Sequence, residues 1–118
     1  MTLKMKAKKD EFAKFCKYFR DYQHQFGLNE YKVGFKFEPI DGSFADITID
    51  QAEMVAIVRL NSDLPDGDVR KSAKHEALHL LVSRLERRAR ERYTNAAEIY
   101  EATEELVRRI DSLLKEVE

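Results

Sequence analysis

The sequence predicts an α+β domain: an N-terminal helix, a three-stranded antiparallel sheet, a helix carrying H-E-x-x-H and a C-terminal helix. Two changes of hydrophobic period carry that expectation. Apolar residues recur every three or four positions up to Phe26, alternate singly from Tyr31 to Asp50 on either side of a turn, run more continuously through MVAIVRLN, and return to the helical period after Asp68. The third observation is length. With 118 residues and no linker, repeat or low-complexity tract, residues 1–118 read as a single domain around one core.

Each element follows from its own stretch. Phe12, Phe15, Cys16, Phe19, Tyr22 and Phe26 form one apolar stripe on a helix from about Lys6 to Gln25, and Gly27 is its expected stop. In YKVGFKFEPI, Tyr31, Val33, Phe35 and Phe37 alternate with Lys32, Gly34, Lys36 and Glu38, the pattern of a half-buried strand. PIDGS supplies turn chemistry. FADITID sets Ala45, Ile47 and Ile49 against Phe44, Asp46, Thr48 and Asp50 as a second strand. MVAIVRLN, more continuously apolar and bounded by NSDLPDGD, is the third. Short links between the three predict a meander in which each strand pairs with the next.

The helical period then runs from Val69 to about Tyr93, with Asp66 or Asp68 as cap. A last helix is expected from about Asn95 to Val117, with Ile99, Thr103, Leu106, Val107, Ile110, Leu113 and Leu114 on one face. Asn95 followed by Glu98 has the form of a capping box.

Composition narrows the partners. The net charge of −1 gives no general attraction to nucleic acid or to acidic membranes. Cys16 is the only cysteine, so neither an intrachain disulfide nor a cysteine metal cluster can form. No apolar run has the length of a signal peptide or a membrane span, so a cytoplasmic protein without membrane contact is expected.

The stretch KHEALHLL places His75, Glu76 and His79 within five residues. Residues four apart share a helix face, so His75 and His79 can present two imidazole nitrogens to one metal ion. A catalytic zinc site needs that convergence, a third protein ligand and an open position for water. Glu76, next to the first ligand, can stand beside the open position and accept a proton from the attacking water. Shuffling this composition yields the pattern in roughly one sequence in two hundred, so context matters. Here the motif lies on a helix, with Leu78, Val82 and Leu85 as an expected apolar wall. His24, in DYQHQF, is expected on a helix surface.

With these residues in place the chain resembles a compact zincin, the metallopeptidase superfamily built around an H-E-x-x-H helix. The likeness covers about residues 6–117, although only the motif residues are specific. It implies Zn2+ held by His75 and His79, Glu76 as general base, and hydrolysis of a peptide or protein substrate by a zinc-activated water. It also implies that MVAIVRLN acts as the edge strand aligning an extended substrate through main-chain hydrogen bonds.

No glycine and third histidine follow HEALH as in metzincins; the chain reads LLVSRLERR. That leaves a downstream carboxylate in the gluzincin manner, with Glu98, Glu101, Glu104 and Glu105 as candidates and Glu104 preferred. Tyr93 and Tyr100 are candidate transition-state helpers. Lys74 departs from the pattern, since zincins usually carry an uncharged residue there. The small size and sparse motif set are similar to zincin-like proteins of phages and mobile elements.

A different use of the fold is a zincin-like binding or regulatory module with little turnover. SRLERRARER concentrates Arg84, Arg87, Arg88, Arg90 and Arg92, which could meet phosphates. Without interleaved aromatic residues, a solvated helix end is the better expectation.

Overall fold

The computed structural model describes residues 3–63, 67–91 and 95–117, with side chains from residue 7 onward. Helix α1 spans Leu3–Gln25. Phe15, Phe19 and Tyr22, spaced four and three apart, are fully buried on its inner face. The chain leaves the helix at Gly27, whose φ of 71° is the left-handed conformation expected of a glycine stop. Gln23 fixes the exit by donating to the carbonyls of Leu28 (3.0 Å) and Tyr31 (3.1 Å).

Strands β1 (Lys32–Glu38), β2 (Ala45–Asp50) and β3 (Val55–Asn61) form one sheet in the order β1-β3-β2. β2 pairs antiparallel with β3, whereas β1 pairs parallel with it, so the sheet is mixed. This corrects the antiparallel meander. The link 39–44 does not turn back beside β1; it crosses the end of the sheet and seats β2 beyond β3. Two strand spacings are about 10 Å, which six residues cover easily.

Asn61, buried at the end of β3, secures the crossing by donating to the carbonyls of Ile40 (2.6 Å) and Ser43 (2.8 Å). The continuous apolar run of β3 has the same explanation. As the central strand it buries Ala56, Val58 and Leu60 against the helices and is flanked on both edges. Among the described residues β2 pairs only with β3, which leaves its other edge without a strand partner.

Helix α2 covers Val69–Arg90, and its cap is Asp68, whose carboxylate accepts from Lys71 N at 3.0 Å. Helix α3 covers Ala96–Leu113, capped by Asn95 accepting from Ala97 N at 2.7 Å. The expected cap at Asp66 and the turn through Tyr93 lie outside the described residues. α3 stops short of the expected Val117. Leu114 is extended, and the tail folds back so that Val117 N donates to the Tyr22 hydroxyl at 2.7 Å.

Two apolar clusters result. The main one joins Phe15, Phe19 and Tyr22 of α1, the inner face of β3, and Val69, Ala73, Ala77 and Leu80 of α2. Ala73 and Ala77 are fully buried, so α2 approaches its neighbours closely. The second cluster is smaller: Leu78 and Val82 of α2 against Val107 of α3. Two of the seven residues in the expected apolar stripe of α3 stay exposed, Leu106 and Leu113, the latter 82% exposed. Among the described residues, no helix is long and apolar enough to cross a membrane.

Candidate metal centre

α2 has three working faces. Val69, Ala73, Ala77 and Leu80 pack in the main core, while Lys74, Leu78 and Val82 meet α3 or its C-terminal end. His75, Glu76, His79 and Ser83 line a cleft. The helical period separates these sets, which is why one helix can serve both core and site.

The structure brings His75 and His79 together with Glu104 of α3. The two Nε2 atoms are 3.2 Å apart, and His79 Nε2 is 2.6 Å from Glu104 Oε1. His75 Nε2 is 3.7 Å from Glu104 Oε2. An ion bound tetrahedrally to nitrogen and oxygen at about 2.0–2.1 Å separates its donors by about 3.3 Å. The two imidazole nitrogens lie close to that spacing, and with the Glu104 carboxylate beside both of them the three side chains could hold a metal ion. Among the described residues no further histidine, cysteine or carboxylate joins the group. Glu98, Glu101 and Glu105 are exposed on α3.

The electrostatics suit that use. Burial, and then the neighbouring His79, lower the pKa of His75 and keep its imidazole neutral, as a ligand must be. Glu76 is 6% exposed, and burial pushes its carboxyl up to about 8, with Asp46 and Glu104 adding like-charge repulsion. Without a cation nearby it carries its proton at neutral pH. A cation between the histidines and Glu104 would lower that pKa again.

The cleft has a volume of about 680 Å³. β2 lines one side through Ala45, Ile47 and Ile49, and Tyr100 and Glu104 of α3 also border it. The strand along the site is therefore β2, not the MVAIVRLN strand: β3 is central and has no free edge. The periodic signal could not reveal this, because strand order depends on where the link 39–44 crosses. The expected apolar wall of Leu78, Val82 and Leu85 does not line the cleft. Leu78 and Val82 are buried against α3, but Leu85 is 65% exposed.

Other residues complete the picture. Lys74 is buried, with its ammonium at the C-terminal end of α3. Asp46, close enough to act on Glu76, is held by Arg59, whose Nε donates to Asp46 Oδ1 at 2.8 Å. Sequence reasoning missed Asp46, although alternation in FADITID marks it as a polar-face residue. It also missed Gln51, which donates to Ser83 Oγ at 2.6 Å and ties the β2–β3 turn to α2. Tyr100 borders the cleft and is 56% exposed, while Tyr93 and Arg92 lie outside the described residues. His24 is exposed, as expected. In the arginine stretch, Arg87 and Arg88 face Glu91, and Arg90 pairs with Glu86 at 2.6 Å.

An α+β domain with a histidine–histidine–glutamate cluster at the mouth of a cleft is the class that fold and site define. Compared with known proteins, the chain matches no protein-family profile, no curated protein and no solved structure.

Proposed function

We propose that the protein is a compact zinc-dependent peptidase of zincin-like design. The observation that carries this reading is a converging three-donor cluster on a cleft shared with a buried carboxyl, Glu76. Structural zinc sites are closed by four protein ligands, whereas catalytic ones keep a position free. Two imidazoles and one carboxylate are a donor set that zinc takes in catalytic sites, although iron(II) also takes it.

Zinc held there would supply a Lewis acid that polarises a carbonyl and acidifies water. The chain's own residues do the rest. His75 and His79 point from one helix face, and burial disfavours the charged form of His75. Glu104, reaching from the second helix, completes the donor set. Glu76, ionised when a cation lies beside it, takes a proton from water and returns it to the leaving amine. The open edge of β2 offers main-chain groups to an extended peptide laid along the cleft.

Protein purified without chelator should retain close to one zinc per chain and cleave members of a broad peptide library. Glu76→Gln should retain the zinc and lose at least a hundredfold in rate. Equal activity of wild type and Glu76→Gln would remove the enzyme reading. Retained zinc with no turnover in either would favour the second reading, a metal-holding binding module.

A further inference from the structure

We infer that Lys74 and Asp111 form a register lock between α2 and α3 that selects Glu104, rather than another glutamate of α3, as the third donor. The inference rests on the metal-site reading above. α3 carries carboxylates at 98, 101, 104 and 105, so a slip of one turn along α2 would offer the histidines a different one. The apolar contact cannot by itself prevent this. Its buried centre is Leu78, Val82 and Val107, with Phe26, Ile110 and Leu114 packed around it; since Ile110 lies about one turn beyond Val107, a one-turn slip would keep an apolar residue opposite Leu78.

Lys74 supplies what that contact lacks. It is 4% exposed, and its Nζ donates to the carbonyls of Asp111 and Leu114, each at 3.2 Å. The same Nζ stands 2.9 Å from Asp111 Oδ1 as an ion pair, and that oxygen is buried without receiving a hydrogen bond. Slippage would leave an ammonium and a carboxylate unpaired in a nearly dry position, which costs far more than repacking leucine on valine.

Asp111 lies 111 − 104 = 7 residues beyond Glu104, two helical turns along the same face. The pair and the site are thus two points of one antiparallel alignment: Lys74 opposite Asp111, His79 opposite Glu104. Fixing register is the best-attested use of a buried ion pair. Lys74 is a positioning residue. Its ammonium meets Asp111 and Leu114, and its side chain does not line the cleft.

The test compares wild type with Lys74→Met/Asp111→Leu, which replaces the pair by apolar groups of similar size. In the metal-free proteins, methyl NOEs from Leu78 to Val107 and Ile110 report the register. Zinc affinity reports the donors. The paired variant should stay helical, show weakened or doubled NOEs, and bind zinc at least tenfold more weakly. Glu101→Ala should leave zinc affinity unchanged in wild type but lower it at least threefold in the paired variant.

A folded paired variant with wild-type NOEs and affinity overturns the lock. If wild type binds no zinc while the NOEs still change on unlocking, the lock stands and the metal reading falls. Should the paired variant not fold, Asp111→Asn takes its place, with the same two measurements and the same outcomes for and against the lock.

Discussion

His79 and Glu104 meet at 2.6 Å although 104 − 79 = 25 residues separate them, because α2 and α3 run side by side as a hairpin. In the metal-free protein this contact is an ion-pair or hydrogen-bond geometry. A cation held there would take the same two side chains as ligands. One carboxylate therefore joins the helices in either state, and its removal should be felt in both.

The first expectation concerns that carboxylate. Glu104→Ala should weaken zinc binding by tenfold or more, and Glu101→Ala, whose side chain is exposed, should leave it unchanged. Competition titration against a chromogenic chelator measures both. Equal losses from the two changes would mean that α3 is not held in one register.

The second concerns pH. Glu76 is raised from 4.5 to about 8 in the folded metal-free protein, so the folded state holds this proton more tightly than the unfolded chain. Its contribution is complete below pH 4.5 and is lost as pH rises towards 8. Between pH 4.5 and 7 the loss amounts to roughly 3 kcal/mol by linkage. His75, lowered by burial, acts in the opposite sense, since it resists protonation as pH falls. Urea unfolding of wild type and Glu76→Gln across this range separates the two. The glutamine variant should gain on wild type as pH rises, and a constant difference would contradict the buried carboxyl.

A third expectation concerns the strand order. Asn61→Ala strips partners from the carbonyls of Ile40 and Ser43 and from Asp63 N, which donates to Asn61 Oδ1 at 2.9 Å. A stability loss of about 2 kcal/mol is expected from the groups left unpaired. Because this residue seats β2 beside the cleft, peptide affinity should fall as well. Chemical denaturation and peptide titration check the two halves.

A fourth lies at Gly67. A Cβ built there would stand 2.8 Å from the Phe44 ring, which has no flexible end to move aside. Gly67→Ala should destabilise by about 1–3 kcal/mol as the ring is displaced. Gly27→Ala makes a useful contrast. It meets no atom within 4 Å, so its cost comes from the φ of 71° alone.

Much of the fold was legible because periodicity reports what each residue faces. Phe15, Phe19 and Tyr22 declared α1, the alternation of β1 and β2 declared strands, and Asp68 and Asn95 marked two helix starts. His75, Glu76 and His79 were legible through spacing alone, since a helix fixes which residues share a face. What stayed hidden depends on partners distant in sequence. The place of β3 between β1 and β2 follows from where Asn61 ties a link, and no local pattern encodes that. The burial of Lys74 was equally invisible. A lysine beside a motif looks like an electrostatic misfit until Asp111 is found opposite.

The division of apolar packing into two unequal clusters has a consequence for motion. α1, the sheet and α2 share the larger cluster, whereas α3 adds only Ile99, Thr103 and Val107 to the buried interior. The protein should therefore open in two tiers. Amide hydrogens of α3 would exchange at a rate set by detachment of that one helix, and those of β3 only through global unfolding. Because the donor set straddles this boundary, a bound ion would act as a latch across it. It would slow exchange in α3 by the full binding factor while leaving β3 less affected.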